Sequence, residues 1–200
     1  IETMGGGVAI FDYNNDGCLD ILVLRGGWET PMRRSLLRNN CNGTFTDVTV
    51  EAGLAEPTQT ETAVWVDINN DGFLDLYVGN ENEPNQLFLN NRNGTFTDIT
   101  PGSGLNVEMY AMGVAVADYD NDGREDIYIT ALEGDRLFHN EGNGKFRDVT
   151  TASGIRNANF GTSAVDPDRG EFYVVHKSLP TVLRITMPAE PGAGRGGGGG

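Results

Sequence analysis

The chain has 200 residues, of which 38% are hydrophobic and 22% are charged, and these proportions are typical of a folded globular protein. It carries 29 acidic residues against 14 lysines and arginines, which gives a formal net charge of -15. This acidic balance excludes a nucleic-acid binder that works by neutralising phosphates, and it argues against docking on anionic lipid. No apolar run approaches the roughly 20 residues of a membrane helix, so we predict no membrane span.

Two cysteines, Cys18 and Cys41, are too few for a disulfide framework and are not spaced as a CxxC metal or redox motif. The sequence leaves open whether they pair, and taken alone they do not indicate a cellular compartment. The first residues, which begin at Ile1, do not have the charged, apolar and small-residue order of a signal peptide.

One acidic string recurs with the pattern D-x-[ND]-N-D-G-x-x-D. Its three copies occupy residues 12–20, 67–75 and 118–126. An apolar alternation precedes each copy and a short run rich in β-forming residues follows it, and both predict strands. Further along each unit, an Asn-Gly pair stands shortly before a phenylalanine, which predicts a hairpin turn because both residues tolerate positive φ.

The spacing of these features predicts the fold class. The first aspartate of the string advances by 55 and then 51 residues, and the hairpin phenylalanine advances by 51 and then 50. A period of about 50 residues with four short strands per unit is typical of a β-propeller blade. We therefore predict an all-β fold of radially repeated blades, each a four-stranded antiparallel sheet.

The string itself predicts a metal site. Positions 1, 3, 5 and 9 place side-chain oxygens on one tight turn, and position 7 offers a backbone carbonyl. Such hard oxygen ligands suit Ca²⁺, which accepts about six to eight oxygens. An EF-hand begins similarly but closes with Glu at position 12 and needs flanking helices, whereas strands flank this loop.

The alternative interpretation is that Asp, Asn and Gly are ordinary turn formers. Three copies at blade spacing favour the metal, because three or four carboxylates within nine residues repel one another unless a cation lies between them.

The strings and their flanks resemble the FG-GAP (VCBS-type) repeats of integrin-α-like propellers over roughly residues 4 to 160. The loop at residues 25–28, followed by residues 36–40 and 43–49, is most similar to the cartilage acidic protein and ASPIC/UnbV branch. The resemblance implies three Ca²⁺ ions, bound through loop positions 1, 3, 5, 7 and 9. The implied ligands are Asp12, Asn14, Asp16, the Cys18 carbonyl and Asp20; Asp67, Asn69, Asp71, the Phe73 carbonyl and Asp75; and Asp118, Asp120, Asp122, the Arg124 carbonyl and Asp126.

The predicted organisation is a partial propeller of three blades plus a degenerate fourth. The predicted parts are blade 1 at 1–52 with its calcium loop at 12–20, blade 2 at 53–103 with its loop at 67–75, blade 3 at 104–153 with its loop at 118–126, a degenerate partial blade at 154–187 and a flexible Gly-rich tail at 188–200. The fourth unit lacks about four loop residues relative to the others. Asp166 and Asp168 alone are therefore not expected to hold calcium.

The resemblance also implies a location that is secreted, periplasmic or at the cell surface. Propellers of this family have about seven blades, so three and a fraction cannot close a ring. The open edges then require further blades of the same chain or another copy of it.

We predict that a protein or glycan ligand binds on the face opposite the calcium loops. The calcium loops and the Asn-Gly hairpins share one face, because the chain changes face at every turn of a blade. The segments on the other face differ among the repeats, which is typical of a recognition surface on a scaffold. Trp28, Arg33 and Arg34 are the hypothesised contacts, because Trp and Arg are favoured interface anchors. The alternative is a Trp that partly covers its own blade beside solvated arginines.

The sequence predicts no catalytic residues. His139 and His176 are the only histidines, and His139 stands where Leu89 and Arg38 stand in the other repeats, which indicates a strand position. The favoured function is a calcium-stabilised propeller module for extracellular binding or adhesion. The alternative is a fragment of a propeller enzyme, a polysaccharide lyase or hydrolase, whose catalytic residues lie outside this segment.

Overall fold

The structure is a computed structural model of the chain. It describes residues 7–24, 34–56, 58, 60–80, 83–132 and 134–155, together with the backbone of residues 160–166, 171–176 and 182–185. All regular elements in these residues are β-strands, which confirms the predicted fold class. Among them, no helix has the length and apolar character needed to cross a lipid bilayer. The predicted tail at 188–200 lies outside the described residues.

Three consecutive sheets each contain four antiparallel strands, and neighbouring strands follow one another as a simple meander. The first sheet contains β1 (Val8–Phe11), β2 (Asp20–Val23), β3 (Ser35–Asn39) and β4 (Phe45–Asp47). The second contains β5 (Thr60–Val66), β6 (Asp75–Asn80), β8 (Gln86–Asn90) and β9 (Phe96–Asp98), with the short β7 (Glu83–Pro84) between β6 and β8 in the chain. The third contains β11 (Ala111–Ala117), β12 (Asp126–Ala131), β13 (Arg136–Gly142) and β14 (Lys145–Asp148), and it follows the short β10 (Glu108–Met109).

Two further pairings complete the topology. The short strands β7 and β10 pair with each other and so tie the second unit to the start of the third. A fourth sheet consists of β15 (Phe160–Asp166), β16 (Glu171–His176) and β17 (Val182–Ile185), in that order. We refer to the four sheets as blades 1 to 4.

The register of the first two strands of a blade sets the geometry of each acidic loop. Position 9 of the string pairs with the residue just before position 1 in all three blades. These pairs are Phe11 with Asp20, Val66 with Asp75, and Ala117 with Asp126. In blade 4 the corresponding turn is shorter, because Asp166 itself pairs with Glu171.

Among the described residues, two of the three hydrophobic clusters lie between neighbouring blades, and the third consists of residues of blade 3 and Ile155 just after it. One buried cluster joins Phe11, Leu22 and Leu36 of blade 1 to residues of blade 2 that include Leu76 and Phe88. A second cluster joins blades 2 and 3 in the same way. Strands β6 and β12 are buried at every residue, because apolar side chains cover both faces of their sheets. Removal of this apolar surface from water stabilises the stacking of the blades.

The outer face of blade 1 is the exception to this burial. Val8 and Ile10 are 62% and 63% exposed. The residues at the same positions in blade 2, Ala63 and Trp65, pack against the core that blade 1 provides. The exposed apolar face of blade 1 is therefore the kind of surface that a neighbouring blade covers elsewhere in the molecule.

Candidate metal centres

The three acidic loops, at residues 12–20, 67–75 and 118–126, share one backbone conformation. The asparagine at position 4 is left-handed in each, with φ of 57°, 57° and 61°. The glycine at position 6 also has positive φ, at 86°, 83° and 86°. Asn and Gly are the residues that adopt this region most readily, which explains why the string carries Asn-Asp-Gly at its centre.

Backbone N–H groups hold the first carboxylate of each loop in place. In the first loop, Asp16 N donates to Asp12 Oδ1 at 3.1 Å and Gly17 N donates to Asp12 Oδ2 at 2.8 Å. Cys18 N donates to Asp16 Oδ1 at 2.8 Å. The same three hydrogen bonds recur in the other two loops. These hydrogen bonds orient the side chains at positions 1 and 5.

The closing aspartate at position 9 is fully buried in blades 1 to 3 and is held from two sides. Asp75 accepts hydrogen bonds from Ile68 N at 3.1 Å and from Asn90 N, in the hairpin, at 2.7 Å. Asp20 and Asp126 accept the equivalent pairs. This arrangement joins the acidic loop to the hairpin of its own blade.

The electrostatics of the loops favour a bound cation. Burial raises the pKa of Asp75 to about 7, and neighbouring acids including Asp71 add to the effect. Burial likewise raises the pKa of Asp126 to about 6. Asp71 shows the contrast: although partial burial favours its neutral form, the hydrogen bond from Arg92 holds the pKa of this carboxyl below its usual value. A positive charge among these acids therefore stabilises their ionised forms.

The donor set of the loops fits Ca²⁺. In the third loop, carboxylate oxygens of Asp118, Asp120 and Asp122 lie within 4.8 Å of one another. In the first two loops, the side chains at positions 3 and 5 are adjacent, because Nδ2 of the asparagine donates to the carboxylate at position 5, at 2.8 Å for Asn14 and 3.0 Å for Asn69. Oxygen atoms that converge on one turn are the ligands this hard cation accepts.

The hairpin of each blade packs on the acidic loop through position 7, a contact that the sequence analysis missed. In blade 1, Cys18 and Cys41 form a disulfide with a Cα separation of 5.7 Å, which settles the pairing left open above. In blade 2, the Arg92 guanidinium lies 5.9 Å from the centre of the Phe73 ring. In blade 3, Arg124 Nε donates to Asn140 O at 2.7 Å. Alignment of the repeats places Cys41 and Arg92 at equivalent positions, which was the available signal for blades 1 and 2, whereas Asn140 aligns with Asn39 and Asn90.

Adjacent loops are also joined across the blade boundaries. Asn15 donates from its side chain to Gly72 O at 3.1 Å, and Asn70 donates to Gly123 O at 2.8 Å. Asn90 bridges two blades, because its amide donates to Tyr13 O at 2.9 Å and to Leu74 O at 3.0 Å. The loop geometry is therefore coupled to the packing of one blade on the next.

The structure corrects one residue of the expected partner surface. Arg34 is 1% exposed, so it cannot be a surface contact. Its Nη2 donates to Gln86 Oε1 of blade 2 at 2.7 Å, and its guanidinium lies 5.1 Å from the centre of the Phe88 ring. The next blade covers this arginine, which a view of blade 1 alone does not reveal. Trp28 and Arg33 lie outside the described residues.

His139 lies in β13, the strand position that the sequence analysis expected, and its side chain faces the third loop. Its Nδ1 lies 3.2 Å from Asp120 Oδ2 and 3.2 Å from Asp126 Oδ1. The ring also packs edge-on against Tyr119, with centroids 6.0 Å apart.

Together, these features define an open β-propeller whose first three blades carry an acidic, glycine-containing loop at the same turn. A sequence model of the family described as FG-GAP-like repeat matches residues 12–78 and 67–129. The chain belongs to this family of repeats, as the resemblance of its motifs predicted.

Curated relatives point to the same branch. The chain is 38% identical over 84 residues to Cartilage acidic protein 1 of Xenopus tropicalis, a match that covers 42% of this chain and 13% of that protein. It is 31% identical over 121 residues to Cartilage acidic protein 1 of Homo sapiens, covering 60% of this chain and 17% of that protein. The matched region thus spans a small part of these relatives.

A solved structure shows the same fold. A lectin of Agrocybe aegerita, described as recognising non-reducing terminal N-acetylglucosamine, matches with a TM-score of 0.52 and 20% sequence identity. The match covers 92% of this chain and 52% of that chain. At this level of identity, the likeness concerns the fold alone.

Proposed function

We propose that this chain is a calcium-stabilised propeller module for binding or adhesion outside the cell. The observation that carries the proposal is the threefold recurrence of one acidic loop, with the same left-handed residues and the same internal hydrogen bonds. In this role Ca²⁺ neutralises the clustered carboxylates and fixes the loops that join adjacent blades. The residues that hold it are the fifteen loop ligands named above.

The charge of the chain is consistent with this role. Ten of its 29 acidic residues are proposed ligands, and three divalent ions would bring the formal charge from -15 to -9. Metal binding would then account for much of the excess of acidic residues.

An extracellular, periplasmic or surface location is supported by the disulfide between Cys18 and Cys41. Disulfides persist in oxidising compartments and are rare in the cytosol of mesophiles. The relatives named as cartilage acidic proteins support the same location.

We propose that a protein or glycan binds on the face opposite the calcium loops, with Trp28 and Arg33 as contacts. The Agrocybe aegerita lectin supports a glycan as one kind of ligand. Arg34 is not part of this proposal because it is buried.

The exposed apolar face of blade 1 supports the proposal that another blade packs on it. Val8 and Ile10 present apolar surface where the other blades meet a neighbour. Further blades of the same chain, or another copy of it, would cover this face.

The function is tested by a glycan array and a panel of extracellular proteins, probed with the chain at millimolar Ca²⁺ and again with excess chelator. We expect ligand binding that weakens at least about tenfold in chelator, and that weakens also in a Trp28→Ala/Arg33→Ala variant with unchanged thermal stability. Exposed Val50 offers a matched control, since Val50→Ala changes an exposed position of the chain. Binding that is indifferent to both calcium and the double variant would contradict the proposal.

A further inference from the structure

The third loop differs from the other two in its donor set. Position 3 is Asp120 instead of asparagine, so four of the proposed ligand positions of this loop carry carboxylates instead of three. The hairpin position that faces it is His139, whereas blade 2 has Leu89 and blade 1 has Arg38 at the equivalent place. A nitrogen ligand is therefore present beside the third loop where the second loop has an aliphatic side chain.

The imidazole is buried and directed into this acidic cluster. His139 is only 9% exposed, and its Nδ1 makes no hydrogen bond. Oxygens of Asp120 and Asp126 each lie 3.2 Å from that nitrogen, and one oxygen of Asp122 lies 3.8 Å from Nε2. A buried polar atom without a hydrogen-bond partner costs free energy, so this nitrogen is one that a bound ion would satisfy.

The three ligand atoms are close enough to share one ion. The side chains of Asp120, Asp126 and His139 each offer an atom within 4.8 Å of the others. A mixed set of carboxylates and imidazole suits divalent ions such as Zn²⁺ and Mn²⁺, whereas Ca²⁺ takes oxygen ligands. The second loop, with Leu89 in place of the histidine, has no such nitrogen.

We propose that the third loop is a mixed nitrogen–oxygen metal site, in which His139 joins Asp120 and Asp126 and selects Zn²⁺ over Ca²⁺. The inference rests on the proposed metal binding of the loops, and it separates the third site from the first two. The third loop accepts Ca²⁺ when that is the only divalent ion, and Zn²⁺ displaces it.

The competing explanation is that protonated His139 serves as an internal counter-ion. Its ring faces three carboxylates, those of Asp120, Asp122 and Asp126, and Arg124 already pairs with Asp122. In that case the histidine would oppose metal binding, and its removal would strengthen Ca²⁺ binding at the third loop.

Elemental analysis distinguishes these explanations. The metal-free chain is dialysed against millimolar Ca²⁺ with micromolar Zn²⁺, and the retained ions are counted. We expect one Zn²⁺ and two Ca²⁺ per chain for the wild type, and three Ca²⁺ without Zn²⁺ for His139→Leu. That substitution introduces the residue that blade 2 already carries, and His176→Gln is the matched control that should keep the wild-type count.

Two results would overturn the inference: wild-type protein that retains no Zn²⁺ while binding calcium, or His139→Leu that retains as much Zn²⁺ as the wild type. Loss of all divalent ions from the wild type would instead refute the calcium function itself. A measurement on the unmodified chain gives an independent readout, because Zn²⁺ should shift the imidazole ¹⁵N resonances of His139 and leave those of His176 in place. Unshifted His139 resonances at saturating Zn²⁺ would also overturn the inference.

Discussion

At the scale of single residues, the acidic loop contacts the hairpin of its blade through a different interaction in each of blades 1 to 3. The residue at loop position 7 contacts the hairpin through a disulfide in blade 1, a ring beneath an arginine in blade 2, and an arginine hydrogen bond in blade 3. Because each contact fixes the loop against its hairpin, each also orients the closing aspartate that the hairpin holds. We infer that position 7 contributes its side chain to stability and its carbonyl to the metal.

The disulfide provides the first prediction. Cys41→Ser should lower the free energy of unfolding by about 2–4 kcal/mol, because the 23-residue link no longer restricts the unfolded chain. It should also weaken Ca²⁺ binding at the first loop. Urea unfolding and calcium titration measure both effects. The matched control is Cys18→Phe/Cys41→Arg, which introduces the residues that blade 2 has at these positions and should recover part of the lost stability and affinity. Unaltered stability and affinity in Cys41→Ser would contradict this prediction.

A second prediction concerns Asp135, which is buried on the side of blade 3 away from the acidic loops. Tyr128 Oη donates to Asp135 Oδ2 at 2.8 Å and Ala131 N donates to Oδ1 at 3.2 Å, but burial dominates and raises the pKa of Asp135 to about 6. The folded state thus holds this proton more tightly than the unfolded state, whose pKa is near 3.8. The contribution of Asp135 to stability is therefore full below about pH 4 and is lost as pH rises through about 6.

Asp135→Asn should remove this loss of stability at high pH, because asparagine does not ionise. Blade 2 already has an asparagine, Asn85, at the equivalent position. We expect the variant to be about 1–3 kcal/mol more stable than the wild type at pH 8, with little difference at pH 4. Unfolding is measured at saturating calcium, so that the loop carboxylates stay ionised. Asn85→Asp is the reciprocal control, and it should make the free energy of unfolding depend on pH in the same way at blade 2. If Asp135→Asn is no more stable than the wild type at pH 8, ionisation of Asp135 does not destabilise the fold.

At the scale of structural elements, the close approach of neighbouring blades depends on two equivalent glycines. Gly53 and Gly104 both have positive φ, at 79° and 89°. The carbonyl of the residue before each glycine accepts a hydrogen bond from a strand of the neighbouring sheet. Phe96 N donates to Ala52 O beside Gly53, and Phe146 N donates to Ser103 O beside Gly104. A Cβ at Gly53 would lie 3.0 Å from Phe96 O, and one at Gly104 would overlap Phe146 O.

A graded series of alanine substitutions tests this packing. Gly43→Ala, at φ 85° with nothing within 4 Å of its Cβ, should cost only the left-handed strain of about 1–2 kcal/mol. Gly53→Ala should cost slightly more, and Gly104→Ala should cost about 3 kcal/mol or more because blade 3 must move away from blade 2. Chemical denaturation gives the three values. Equal losses at Gly43 and Gly104 would mean that the blades do not approach as closely as described.

The elements also show why the sequence predicted some features and missed others. The strands and acidic loops follow from local periodicity and turn chemistry, and their recurrence reinforces each assignment. The burial of Arg34 and the pairing of β7 with β10 depend on the neighbouring unit, so no local pattern indicates them. His139 was correctly placed on a strand, but its contact with Asp126 depends on the register between β12 and β13, in which Ile127 pairs with Phe138.

At the scale of the whole molecule, the acidic loops are connected to the packing of the blades. The loops hydrogen-bond to one another across the boundaries between blades, through Asn15, Asn70 and Asn90 among others. An ion that orders one loop therefore also supports the stacking of the blades on either side. We expect calcium to stabilise the chain as a cooperative unit rather than loop by loop.

Calorimetric titration of the metal-free chain with Ca²⁺, with the melting temperature followed in parallel, shows whether the three acidic loops are calcium sites that hold the blades together. We expect saturation at three ions per chain and a melting temperature that rises as the sites fill, since binding to the folded state stabilises it. Absence of calcium binding at millimolar concentration, with the same melting temperature in calcium and in chelator, would contradict this expectation.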